Sequence, residues 1–465
     1  MYPLSDKQKG SWVGLSLALL ATLCIIGVGW HTGLFWDNIL FINTFGTSLY
    51  ENGIFAWGSI PIETDPGHPM LTASYITAVW KLFGRSIEVT HLALIPFIFL
   101  FLVVLWHICQ VLFDSIKWAV AAFILIISDP SVFSQLMYIG PEVFVLCFSG
   151  IAIYGVLKSS KIYQTLGLLF LGITSLRGMM LCAGIFLWDL LRHRKVNIYV
   201  YIIGAMPAVV FLTWRLITKG WIISNPTAAW GSAFGYENVM VFLHNFLRNG
   251  IVLASRILDF GRIVPALIVF VLLIIKRKAW IRDKRIIDLL LFTSLICIVV
   301  ACTSLIIVNP MGHSYFLWIY IGILLLLIAL LQDLPWRKVL YGCSLCALLL
   351  GNAIIYPDRI AQGWSCSLAS LPYWSLREQM FAYMEEEHIV PQQTLTFFPW
   401  GSCADDVDLK GDKRPYALSW EEAEYVMASN VCNLDDETLD RLQRCTPIKR
   451  LEKRGVYITL FRITP

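Results

Sequence analysis

Pro69-Met70-Leu71-Thr72-Ala73-Ser74-Tyr75-Ile76-Thr77-Ala78-Val79-Trp80-Lys81-Leu82-Phe83 decides the fold of this chain, because its reading sets the sidedness of everything that follows. The stretch is apolar enough to tempt a transmembrane assignment. Counted as a span, it would invert every later loop and put the basic clusters outside, against the rule that Lys and Arg of short loops stay cytoplasmic. Those clusters are otherwise consistent. Lys7 and Lys9 precede the first apolar run, Lys117 follows the second, Lys158 and Lys161 the fourth, and Arg192, Arg194 and Lys195 the sixth. Lys276, Arg277 and Lys278 with Arg282, Lys284 and Arg285 form the strongest cluster, and Arg337-Lys338 precede the last run. All of them face the cytoplasm if the amino terminus does and if 69–83 is a helix lying in the interface. Trp80, Lys81 and Arg85 then sit at headgroup depth, the basic side chains snorkelling.

Composition fixes the broad class. A mean hydropathy of +0.68, with 57% hydrophobic and 15% charged residues, is too apolar for a soluble chain of 465 residues and reads as an α-helical polytopic membrane protein. The net charge of +4 is small and dispersed between apolar runs, which argues for topology signals and against a nucleic-acid partner. The run at 11–30 is long enough to remain as an anchor and lacks a small-residue cleavage site. About eleven runs approach the ~20 residues needed to cross a bilayer: 12–30, 89–111, 118–128, 142–157, 162–176, 179–191, 196–214, 254–275, 286–308, 314–331 and 339–355. The outward segments are then 31–88, 129–141, the turn around Arg177, 215–253, 309–313 and everything from Tyr356 onward. Two domains are expected: a transmembrane body over 1–355 and an extracytoplasmic α/β domain over 356–465.

In that tail the apolar runs end, and strand-like stretches appear at 394–398 and 456–463. Ser419 followed by Glu422 reads as a capping box opening a helix through Ser429, and Pro391 and Pro399 punctuate the strand region. Of 12 cysteines, eight lie in or near spans, as small apolar filler. Cys366, Cys403, Cys432 and Cys445 lie in the tail, and an even number in an oxidising compartment is consistent with two disulfides of undetermined pairing. No Cys-x-x-Cys spacing there points to zinc.

With sidedness fixed, the polar residues a membrane segment would not need collect on one face. Asp37, Asp65, His68, Asp129, Glu142, Arg177 and His313 all map to outer helix ends or loops. An ionisable group in a span costs roughly 2.5–3.5 kcal/mol on insertion scales, so Glu142 and Arg177 near their helix ends require partners or a polar cavity. Arg177, in the break Thr174-Ser175-Leu176-Arg177-Gly178, presents a fixed cation at headgroup depth, for which phosphate is the natural ligand. The plainer reading is a turn arginine reaching lipid headgroups. Asp37 beside Trp36 also fits a solvated residue next to an interfacial tryptophan, and His313 with Tyr315 fits the aromatic belt as well as a polar ligand. No phosphate-cradling glycine loop, nucleophile elbow or metalloprotease pair occurs.

The order of these residues resembles the GT-C superfamily of membrane glycosyltransferases, above all the branch of protein O-mannosyltransferases and the lipid A aminoarabinose transferase, over residues 12–330. The first outer loop of that family carries an Asp-Glu pair, matched here by Asp37-Asn38. A His-Pro-Pro or Glu-Lys-Pro element opening an interfacial helix is matched by Gly67-His68-Pro69-Met70, and a Leu-Phe-Gly turn by Leu82-Phe83-Gly84. Pro141-Glu142, Arg177-Gly178 in place of a Lys-Gly pair, and His313-Ser314-Tyr315-Phe316-Leu317 complete the series. The resemblance implies sugar transfer from a polyprenyl-phosphate donor to a lipid, glycan or protein acceptor at the outer face of a bacterial inner membrane. Asp37 would be the general base and Arg177 the ligand of the donor phosphate. His68, Asp65, Glu142, His313 and Tyr315 would bind substrate, and a divalent metal ion stays open. A transporter or lipid flippase is the rival class, although such proteins place their charges near the midplane in repeated halves. A structural subunit docking partners through its tail is another.

Overall fold

The computed structural model describes residues 6–65, 67–223, 225, 235–308 and 311–463. Pro66, Asn309 and Pro310, which belong to two of the turns singled out in the sequence, lie outside the described residues. Helix α1 (Asp6–Gly29) enters a loop that holds a π-helical turn (Ile39–Thr44), α2 (Phe45–Asn52) and α3 (Leu71–Phe83). Then come α4 (Ile87–Leu112), α5 (Ile116–Ile127), α6 (Pro130–Met137), α7 (Glu142–Leu157), α8 (Lys161–Gly172), α9 (Leu176–His193) and α10 (Ile198–Lys219). The body closes with α11 (Val239–Leu258), α12 (Ile263–Ile275), α13 (Arg277–Trp280), α14 (Lys284–Ile306), α15 (Leu317–Leu331) and α16 (Arg337–Gly351).

Apolar character on every side marks α7 and α15 as central helices, and nearly all of their residues are buried. By contrast α1 and α10 leave apolar faces exposed, with Leu20, Leu23, Val209 and Val210 bare of protein. Bare apolar faces around an apolar core are the pattern of a multi-pass membrane protein, in which lipid covers what water would reject. Among the described residues five helices are long and apolar enough to cross a bilayer, or seven if each of two bent pairs is one span. The expected runs include several too short to count: α8, with 12 residues, reaches only about 18 Å at 1.5 Å per residue.

Helix α3 has 13 residues and extends about 20 Å, short of the ~30 Å hydrocarbon core, so the deciding stretch is no simple span. Its side chains correct the expectation of a headgroup-level Trp80, which is completely buried and donates its indole N–H to Thr90 Oγ1 at 2.8 Å. Exposed Leu82 and Phe83 are the apolar groups this helix offers to lipid instead.

Two expected outward loops are largely helical. In 129–141, Asp129 caps α6 by accepting the N–H groups of Ser131 and Val132, and Pro130 occupies the first turn; α5 and α6 meet at 69°. In 215–253, Asn238 caps α11, which meets α12 at 93°. Polar residues such as Asn245, Arg248 and Asn249 broke the hydropathy of α11 and concealed it.

The tail adds α17 (Pro372–Glu386), β1 (Thr394–Thr396), α18 (Asp405–Asp408), β2 (Tyr425–Ser429), α19 (Asp436–Leu442), β3 (Thr446–Lys453) and β4 (Val456–Arg462). The sheet order is β1-β2-β4-β3, with β1 parallel to β2 and the rest antiparallel. Both expected strand regions are present. The expected helix through Ser429 is β2: Glu422 does reach back to the Leu418 N–H at 3.2 Å, but Val426 to Ala428 are apolar, buried and paired to β4, and burial overrides the cap. The expected disulfides do not form. None of the four tail cysteines is joined to another: Cys366 lies beside Gln135 of α6, Cys403 forms a backbone bridge with Pro415, Cys432 follows β2 and Cys445 precedes β3.

Candidate active site

Asp37 follows a residue in a costly conformation. Trp36 has φ of +53°, in the left-handed region disfavoured for bulky side chains, and its buried indole N–H has no acceptor. The chain then winds into the π-helical turn Ile39–Thr44, a local geometry common at functional sites. Asp37 is open to solvent yet enclosed by protein, and no hydrogen bond to its carboxylate exists among the described residues. Loss of bulk water raises its pKa above the ordinary carboxylate value; Arg177 pulls it down and Glu142 pushes it up.

Arg177 and Glu142 come from two helix starts. Ser175 accepts the Gly178 N–H at 3.1 Å and opens α9, so that Arg177 falls in its first turn. Pro141 turns the chain into α7 with Glu142 at its first position. The two side chains form a buried ion pair, Arg177 also donates to Ser314 Oγ at 2.7 Å, and the Tyr315 ring lies 4.1 Å from the guanidinium. Saturation is incomplete, because Arg177 Nε and Glu142 Oε2 are buried without partners. Gly140 brings the first loop against this pair: a Cβ there would meet Asn38 Oδ1 at 2.6 Å and Glu142 Oε2 at 2.8 Å. Asn38 therefore shares the pocket, and a larger residue at 140 would have to push the Asn38 and Glu142 side chains aside.

His68 completes the set. Its Nδ1 accepts the Leu176 N–H at 3.3 Å, one of the orphan donors of the α9 amino terminus, and Phe41 packs edge-on 4.9 Å away. Burial, with the cations Arg177 and Arg215, lowers its pKa to about 3, so the ring is neutral and its Nε2 carries the proton. Arg177, Ser314 and Tyr315 also line a narrow slot walled by apolar residues such as Leu181, Val300 and Trp318. Its free space is about 10 Å³, room for one water.

Two sequence candidates are not in this group. Asp65 is spent on structure: it accepts from Arg215 at 3.0 and 3.3 Å and from the Gly67 N–H at 2.9 Å, tying the turn before His68 to α10. His313 is fully buried in a second cluster, its Nε2 2.8 Å from Asp259 and its Nδ1 3.0 Å from Arg256. Asp129 belongs there too, taking Arg262 at 2.6 and 2.9 Å, while Arg262 lies 3.7 Å from the Tyr320 ring. Arg215, Arg256 and Arg262 were missed in the sequence. An arginine inside an apolar run is itself a signal, and Arg256 and Arg262 stand within the expected span 254–275.

The tail reaches the same end of the bundle. Phe398 packs edge-on against Trp36 at 5.1 Å, Asn43 donates to Asp406 at 2.8 Å, and Arg85 forks onto Asp405 at 3.0 and 3.1 Å. Arg85 thus docks the tail and does not snorkel. Among the described residues no three His, Cys, Asp or Glu side chains gather where they could hold a metal ion, and no step below uses one.

Helical body, first-loop helices and tail together define the class: a mostly helical, multi-pass membrane protein with a small C-terminal sheet and an ArnT-like fold. Specifically, it matches ArnT from Cupriavidus metallidurans bound to undecaprenyl phosphate, with a TM-score of 0.55 and 11% identity over 96% of this chain and 97% of that one. The apo state of the same ArnT matches with a TM-score of 0.52 and 10% identity, covering 98% of each chain. The likeness, expected for 12–330, thus includes the tail. No family model and no curated protein matches the chain.

Proposed function

We propose that this protein is a glycosyltransferase that moves a sugar from a polyprenyl phosphate to a lipid, glycan or protein nucleophile, on the tail side of the membrane. The observation that carries the reading is the meeting of an unbonded carboxylate, Asp37, with an incompletely saturated buried cation, Arg177, in a fold shared over its whole length with a protein solved with undecaprenyl phosphate.

In the reaction Asp37 removes the proton of the acceptor nucleophile as that atom attacks the anomeric carbon. The bond from this carbon to the phosphate oxygen breaks, and both of its electrons leave with the polyprenyl phosphate. Arg177 takes the charge that builds on the phosphate; Glu142, Ser314 and Tyr315 keep its guanidinium aimed. One carboxylate without a second poised as nucleophile fits an inverting displacement, by analogy with hydrolases. Neutral His68 donates from Nε2 to the sugar or phosphate. The slot beyond Arg177 is apolar, as an isoprenoid requires, and narrow, so a chain would enter by parting its walls. The positive-inside distribution supports a cytoplasmic amino terminus and an extracytoplasmic tail. A transporter reading lacks a comparable support, because the charged residues gather at one end of the bundle.

Purified protein in bilayers, given a radiolabelled undecaprenyl-phosphate sugar and candidate acceptors, tests the proposal. The expected result is transfer by the wild type and loss of transfer, with donor binding kept, in Asp37→Asn. Full transfer by that variant would remove the mechanism.

A further inference from the structure

The largest cleft of those described lies away from Asp37. It has about 760 Å³ of free space, and none of Asp37, Glu142, Arg177 or His68 lines it. Its floor is the gap between the ends of α1 and α16, contributed by Val28, Leu349 and Ala353; its roof is the tail, with Trp374 of α17 and the β3–β4 turn Lys453-Arg454. Phe35, packed against Trp374 at 5.4 Å, begins the aromatic wall on the side of the Trp36-Asp37 turn.

Several features of this cleft point to one kind of occupant. Apolar flanks come first: Val28 and Leu349 are exposed, continuing the bare lipid-facing surfaces of α1 and α16. Charge comes second. Among the described residues Arg454 has no acidic partner, and Lys453 has only Ser375 Oγ at 3.5 Å; His31 lies on the same rim, and Glu378 is the one acid among the described lining residues. Depth is fixed by contact, since a Cβ on Gly455, at φ of +81°, would touch Ile355 Cδ1 at 3.0 Å, just where the chain leaves α16. The two cations therefore stand over the gap between the ends of α1 and α16.

We infer that the cleft is a binding site for an anionic phospholipid of the leaflet on the tail's side, its phosphate on Lys453 and Arg454 and an acyl chain between α1 and α16. Such a lipid bridges α16 and the tail. The site rests on the chain's spanning a membrane and is independent of the transfer reaction.

The full chain in phosphatidylcholine nanodiscs doped with phosphatidylglycerol, released for native mass spectrometry, reads bound anionic lipid directly. Each basic side chain near an anionic headgroup is worth about fivefold in affinity, so Lys453→Ala with Arg454→Ala should lower phosphatidylglycerol affinity about 25-fold. Both residues are exposed, and the double variant should keep its fold. Leu349→Trp, which fills the gap and leaves the cations, should also displace the lipid. Asp37→Asn should bind phosphatidylglycerol as the wild type does, so a failed transferase reading leaves this result standing. Equal phosphatidylglycerol binding by the double variant, or equal retention of phosphatidylcholine and phosphatidylglycerol by the wild type, would overturn the inference.

Discussion

Two charged clusters occupy the same end of the helical body, built from the same side-chain types, and they differ in how completely their polar atoms are used. In the Asp129 cluster, Arg262 forks onto Asp129 and reaches Ser131 Oγ at 2.5 Å, and Asp259 accepts from His313, the Phe260 N–H and the Tyr356 hydroxyl. Among the described residues Asp129, Asp259, Arg262 and His313 have no buried side-chain polar atom left over, and the one such atom in this cluster is Arg256 Nε. In the Asp37 cluster, Glu142 Oε2 and Arg177 Nε are buried and unpartnered, and Asp37 is unbonded. Buried polar groups left unpaired are destabilising and rare. A nearly saturated cluster suits scaffold, whereas carboxylate and cation atoms left over at the mouth of an apolar slot suit the proposed donor site.

The largest effects follow from removing one carboxylate from each. Asp37→Asn should lower turnover by about 10²–10⁴-fold, the usual worth of a positioned general base, with the thermal midpoint of the detergent-solubilised protein unmoved. Asp129→Ala should do the reverse. Leaving Arg262 buried and unpaired costs about 3–5 kcal/mol, read as early thermal unfolding, while the fraction that stays folded turns over normally. A parallel loss of transfer per folded molecule in both variants would dissolve the distinction between the clusters.

Replacing whole pairs sharpens it. A buried ion pair exchanged for apolar residues of similar volume is often neutral for stability, so Asp129→Leu with Arg262→Met should recover much of the stability that Asp129→Ala loses. Glu142→Leu with Arg177→Met should be equally well folded. It should nonetheless lose donor affinity by about tenfold or more, since a charged hydrogen bond to phosphate contributes about 1.5–3 kcal/mol. Isothermal binding of a short-chain polyprenyl phosphate to both double variants checks this. Comparable affinities would assign Arg177 to scaffold.

How far the sequence discloses this difference depends on range. Asp37, Glu142, Arg177 and His68 were legible as a group because charge sidedness is a local property summed along the chain, and reading 69–83 as an interfacial helix assigned them all to one side. Saturation is a tertiary property. Nothing near Asp65 in the chain announces Arg215, 150 positions on, and nothing near His313 announces Asp259, 54 positions before it; both residues therefore read as site candidates although their partners are already supplied. The same limit explains the tail. Strands 394–398 and 456–463 declare themselves by β-branched and aromatic residues, but the local capping signal at Ser419 is overruled by Val426 and Met427, whose burial depends on β4, with Phe461 and Leu460 arriving from far along the chain. Even cysteine parity, a rule about compartments, yields to separate placement of four thiols.

A smaller and more discriminating effect is the pH dependence of transfer. A general base must be ionised, so kcat/KM falls as pH drops through the pKa of Asp37 in the folded protein. Burial and the neighbouring Glu142 raise that pKa, and Arg177 opposes them, which places the acidic limb above the range of an ordinary carboxylate. Neutral His68, with its pKa near 3, adds no limb in the mildly acidic range. The sign of each variant follows. Arg177→Met withdraws the opposing cation, so the limb moves to higher pH; Glu142→Gln withdraws a like charge, so it moves to lower pH. Arg262→Met, whose charge does not act on Asp37, leaves the limb in place even where stability suffers. Rate profiles of the three variants across mildly acidic pH separate the clusters by field alone. An Arg262→Met profile displaced with that of Arg177→Met would mean the two clusters titrate as one.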